Sequence, residues 1–108
     1  MKRAELKLRF SELAVGDILE QADWYESQSG KKQARRWEDA VTATVLRIAG
    51  APRAGALCHF KAESLQGTRR VPVAKFPRHL VFYQIERQGI LVLRVVHGAR
   101  DLESLFSG

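Results

Sequence analysis

Two runs near the end of the sequence, LVFYQIE at residues 80–86 and ILVLRVVH at 90–97, are separated by only Arg87, Gln88 and Gly89. Both are dense in leucine, β-branched and aromatic side chains, and such runs, so closely spaced, favour an antiparallel β-hairpin. The glycine supplies the positive φ that a tight connection needs. With these three residues as the loop, Ile85 faces Leu91, Tyr83 faces Leu93 and Val81 faces Val95. That face is large and mostly apolar, so it is assigned to the core. A slip of one residue sets Tyr83 against Arg94, a poorer match. The opposite face carries Leu80, Phe82, Gln84, Val92, Arg94 and Val96. It is too apolar for solvent and too polar for a core, the pattern of a groove that binds a partner.

The rest of the chain must cover the apolar face of that hairpin. LKLRF, residues 6–10, alternates apolar and basic residues with the period of a half-buried strand. Ser11 is placed to cap a helix, with Glu12 near its N-terminus. Val15, Ile18, Leu19, Ala22 and Tyr25 recur at helical spacing and predict its apolar face, and Ser29-Gly30 ends it. A second helix is expected over residues 32–49, with Trp37, Val41, Thr44, Val45 and Ile48 inward and Gly50-Ala51-Pro52 as its stop. So short a link makes the two helices an antiparallel hairpin. Trp24, Tyr25 and Trp37 are assigned to packing in it rather than to stacking on nucleic-acid bases. Residues 53–66 read as loop with a short strand around 57–60. Residues 69–75 read as a strand that Pro72 confines to an edge or a bulge. The expected fold is a single α+β domain over residues 1–108: an N-terminal strand, an antiparallel helical hairpin, then a three- to four-stranded antiparallel sheet.

The 108 residues are 45% hydrophobic, enough for one domain with a real core. No uncharged apolar run approaches the roughly 20 residues of a membrane helix, and the basic start lacks the apolar centre of a signal peptide. The single Cys58 excludes an intramolecular disulfide. A cytoplasmic protein with no membrane contact is the expectation. The formal charge of +6 is segregated: residues 11–28 hold five acids and no base, whereas GKKQARR (30–36) and TRRVPVAKFPR (68–78) each hold four bases and no acid. Such a balance suits nucleic acid, a machine that handles it, or an acidic protein partner; for the first basic cluster, charge matching within the helical hairpin is the plainer account. His97 faces His79 in the preferred register, but structural zinc wants about four ligands and only Cys58 and His59 remain. No metal or other cofactor is expected.

The stretch FPRHLVFYQIERQGILVLRVVHGARDLESLF resembles the C-terminal half of bacterial RelE/ParE-superfamily toxins, also described as plasmid stabilisation proteins. In these a phenylalanine-proline step, an FYxI strand, a short turn and a second strand ending near HGxRD recur in this order. ADWYESQSG (22–30), VLRIAGAP (45–52) and RRVPVAKFP (69–77) resemble the ends of that superfamily's two helices and the start of its middle strand. The resemblance implies the toxin of a type II toxin–antitoxin pair. Its cognate antitoxin would lay an acidic, amphipathic segment into the groove of Leu80, Phe82, Gln84, Val92, Arg94 and Val96, flanked by Arg69 and Arg70. Arg100, Asp101, His97 and Arg94 become the expected contacts for toxicity and target binding.

Two activities occur in the superfamily: RelE-like members cleave mRNA on the ribosome, and ParE-like members poison DNA gyrase. The resemblance places Val71 and Val73 where the nuclease pattern has lysines, Leu80 where it has an arginine, and Phe106 where many nucleases carry a tyrosine. Arg100 keeps one arginine of the pattern. Arg100, His97 and Arg78 are the catalytic candidates if the chain is a nuclease, with Arg69, Arg70 and Lys75 as further compensating cations. Because proton-transfer groups are missing, the ParE-like, gyrase-directed reading is favoured. A ribosome-dependent nuclease and a non-toxic antitoxin-binding or autoregulatory module are the alternatives.

Overall fold

A computed structural model of the protein describes residues 6–98. Strand β1 (Lys7–Phe10) leads into helix α1 (Glu12–Ser29) and helix α2 (Lys31–Gly50). A 3-10 turn (Pro52–Ala54), the two-residue strand β2 (Ala56–Leu57) and a second 3-10 turn (Glu63–Leu65) follow. Strands β3 (Arg69–Val73), β4 (Phe76–Glu86) and β5 (Gly89–His97) complete the order. The strands form one five-stranded sheet in the order β1-β5-β4-β3-β2. The sheet is therefore larger than the three or four strands expected after the helices, because β1 pairs parallel to β5.

The helical hairpin follows from local chemistry. Ser11 caps α1: its hydroxyl accepts the Ala14 N–H at 3.0 Å and donates to the Leu93 carbonyl at 2.7 Å, tying the helix start to β5. Only Gly30, at φ 90°, separates α1 from α2, a conformation that a side chain disfavours. The inward stripe of α2 is as expected, with Trp37, Val41, Thr44, Val45 and Ile48 all buried. That of α1 is not. Ala14 and Ala22 are buried and Ile18 and Tyr25 pack beside them, while Val15 and Leu19 are exposed. Small alanines let α1 lie close to its neighbours, and the larger Val15 and Leu19 fall on its outer flank. The two tryptophans also part company. Trp37 is fully buried and donates its indole N–H to the Ile18 carbonyl at 3.0 Å, but Trp24 is 54% exposed.

The β4–β5 register is the expected one from His79↔His97 to Phe82↔Arg94. Between Phe82 and Tyr83 a bulge shifts it, so that Tyr83 faces Val92, Ile85 faces Ile90, and Arg87-Gln88 alone make the turn. The bulge corrects the assignment of faces: Ile90 and Val92 join Val73, Val81, Tyr83 and Val95 in the core beneath the helices, and Ile85 is exposed. Pro72 sits at a second irregularity, at the end of the β3–β4 pairing. A smaller cluster of Cys58, Phe82 and Val96, with Phe60 and Leu80 packed on it, lies apart from that core. No described helix is long and apolar enough to cross a membrane.

Candidate functional site

The N-terminal end of β4 and the C-terminal end of β5 meet the flank of α1 at an open cleft. Its volume is about 560 Å³, and it is lined by Gln21, Trp24 and Tyr25 of α1, by Phe76, Pro77, Arg78 and His79 of β4, and by His97 of β5. Its walls are held by a ring network. Tyr25 and Phe76 have centroids 5.3 Å apart, Phe76 meets buried Trp37 at 5.4 Å, and Trp37 meets the His79 imidazole edge-on at 4.8 Å. His79 and His97 are register partners with ring centroids 5.5 Å apart. Burial, and secondarily the neighbouring His97, hold the His79 imidazole below its ordinary value. The Gly98 N–H donates to the Arg78 carbonyl at 2.8 Å, which keeps the two strands paired to the cleft's edge. Aromatic walls, two imidazoles and one guanidinium therefore converge here, a set that can hold a planar group beside an anion and can move protons.

The expected site residues fall into separate places. His97 and Arg78 line this cleft. Arg94 does not: its Nε and Nη2 donate to the two Asp17 carboxylate oxygens at 2.8 Å each, with both side chains only 10% exposed. The same carboxylate accepts the Val95 N–H at 3.0 Å, beyond the point where β1 stops covering the β5 edge. The hydrogen bonds that Arg94 donates to Asp17 push its pKa up against the opposing effect of burial. Asp17 is the residue that sequence reasoning missed. Its signal was there, since a carboxylate at spacing 14-17-18-21-22 lies at the margin of the apolar stripe of α1. Arg100, Asp101 and Phe106 lie outside the described residues.

The anticipated groove is closed. Phe82 is fully buried and Val96 nearly so, covered by Cys58 and by Phe60, whose ring centroid stands 6.3 Å from that of Phe82. Gln84 donates to the Ser64 carbonyl at 2.9 Å and to the Thr68 hydroxyl at 3.0 Å, and Val92 belongs to the helix-side core. The short strand expected around 57–60 is only the two-residue β2 at Ala56–Leu57, and the segment that follows it, through Cys58 and Phe60, supplies the covering that the apolar face requires. Arg69 spends its guanidinium on the Arg53 and Gly55 carbonyls at 3.1 and 2.8 Å. Arg70 is exposed and stands near the Cys58 thiol, whose pKa is raised by burial and opposed by that guanidinium. Among the described residues no group of three or more His, Cys, Asp or Glu side chains is placed to hold a metal ion.

Comparison with known proteins now adds a family. The model of the family described as the ParE toxin of the type II toxin–antitoxin system parDE matches residues 8–102. Among solved structures, the chromosomal ParDE TA system from P. aeruginosa is similar in fold, with a TM-score of 0.71 and 16% identity, over 88% of this chain and 98% of that one. The YoeB–YefM complex from Staphylococcus aureus is a more distant likeness, with a TM-score of 0.48 and 20% identity over 87% of this chain and 98% of that one. Comparison with curated proteins finds no match.

Proposed function

The chain belongs to the ParE toxin family of type II toxin–antitoxin systems, and from that premise we propose that it arrests growth by inhibiting DNA gyrase and is neutralised by a cognate antitoxin. The observation that supports gyrase over the ribosome is the apolar packing of β3 and β4. Val73 is fully buried in the helix-side core, Val71 packs against that core, and Leu80 packs on the Phe82 cluster. These are the positions where the resemblance to ribosome-dependent nucleases calls for cations. Such a nuclease needs a base for the ribose 2′-hydroxyl, a cation for the phosphate and an acid for the leaving oxygen. Arg69, one of the cations available to compensate, is already bonded to backbone carbonyls.

One observation favours the nuclease as a second reading: His79, His97 and Arg78 line one cleft, and two imidazoles with a guanidinium meet the minimum chemistry of acid–base phosphodiester cleavage. Plasmid supercoiling and DNA-cleavage assays with purified gyrase test the first reading. Blocked supercoiling or accumulated cleaved plasmid, suppressed by the antitoxin and absent without gyrase, is the expected result. An unaffected gyrase together with cleavage of ribosome-bound mRNA would move the chain to the second reading. Inactivity in both assays would make it a binding module.

A further inference from the structure

The cleft beside α1 contains more than the gyrase reading uses. Trp24 presents more than half of its surface to solvent at the cleft, although its neighbours Tyr25 and Trp37 are drawn inward. Its ring stands edge-on to Tyr25 at 5.3 Å. Tyr25 and Phe76 lean on buried Trp37, so the apolar walls are set before any ligand arrives. Arg78 is exposed at the same opening and makes no ion pair among the described residues. The α1 side chains in the lining, Gln21, Trp24 and Tyr25, carry no acid, while Glu20, Asp23 and Glu26 are exposed and do not line the cleft.

We propose that this cleft binds single-stranded nucleic acid, with one base against Trp24, Tyr25 and Phe76 and the adjoining phosphate at Arg78 and His97. Successive units of a strand carry a flat apolar ring and an anion, which is the pairing of surfaces that the cleft displays. A volume of about 560 Å³ lies within the usual range of ligand pockets, about 300–1,000 Å³. A purely apolar anchor would fill the walls but make no use of the Arg78 guanidinium exposed at the opening. The positive charge at the cleft is that of Arg78, since the α1 wall belongs to the acidic stretch of residues 11–28. The nucleic-acid strand would occupy the cleft that the nuclease reading uses, so the proposal deepens that reading, but it is tested as binding without cleavage and stands or falls separately from catalysis.

Tryptophan fluorescence of the purified full chain, titrated with a short oligothymidylate, tests the proposal. Stacking on the exposed indole is expected to quench its emission saturably. Trp24→Ala, followed by anisotropy of a labelled oligonucleotide, and Arg78→Ala are each expected to weaken binding about tenfold or more. Arg53→Ala, an exposed arginine outside the cleft, should change it less than about twofold. Both cleft residues being exposed, their variants should keep the parent's unfolding midpoint. Equal weakening by Arg53→Ala would reduce the contact to diffuse charge attraction and overturn the proposal. So would absence of quenching, or equally tight binding of polyglutamate, which would assign the cleft to an acidic polypeptide.

Discussion

Asp17 accepts hydrogen bonds from the Arg94 Nε, the Arg94 Nη2 and the Val95 N–H, all at 2.8–3.0 Å and largely out of water. Removing one partner of such a pair leaves an uncompensated charge and an orphaned backbone donor, which is far costlier than losing a surface ion pair. Asp17→Ala is therefore expected to lower stability by about 3–5 kcal/mol, seen as a fall in the urea midpoint. Replacing Arg94 by leucine in the same chain should recover a large part of the loss; no recovery would mean that the Val95 bond dominates. By contrast Arg9 and Glu86, at 3.3 Å on the surface, should be worth under about 1 kcal/mol. His79 gives the fold a pH dependence. Its folded value lies below the ordinary 6.5, so as pH falls the unfolded chain takes up the proton first. That contribution is complete above the ordinary value and is lost as pH drops through it towards the folded one. Urea midpoints measured from about pH 7.5 down to about 5.5 should decline, and His79→Phe should flatten the decline. An unchanged slope in that variant would assign the effect to other groups.

At the level of elements, β1 depends on Gly89. A Cβ built there would coincide with the backbone of Lys7, because the two residues are partners in the parallel β1–β5 pairing. Gly89→Ala is expected to push the strands apart and cost about 1–3 kcal/mol, with faster hydrogen exchange confined first to β1 and the start of β5. Uniform loss of protection would show that β1 does not open separately. The sequence spelled out some of these elements better than others. The α2 stripe was legible because Trp37, Val41, Val45 and Ile48 repeat a strong 3.6-residue period. The α1 stripe was blurred because its inward residues are small alanines and its outward ones include Val15 and Leu19. Alternation in LKLRF marked a strand without naming its neighbour. Nothing in LVLRV marked the bulge, so the hairpin register was right at its open end and wrong near the turn. For the cleft, the facing of His79 and His97 followed from that register. The exposure of Trp24 did not, since helical spacing alone cannot tell a flank from a face.

Across the whole molecule, both faces of the sheet are covered by unlike means: two helices on one, the Phe60–Thr68 segment against the Phe82 cluster on the other. The sheet edges are short strands, β1 and β2. The pairing of β1 with β5 also bears on synthesis. The first described strand has no neighbour until the last one exists, some eighty residues later in the chain. A ribosome making this protein thus carries α1 without β5, the strand it packs on, until that strand emerges, whereas β3 and β4 reach α2 earlier. A chain truncated after Glu86 should show no cooperative unfolding transition by circular dichroism, and a cooperative one would separate the helices from the sheet. If the transition is lost, the chain gains its fold only when translation is nearly finished. That leaves the interval of translation itself for the antitoxin to be made and ready.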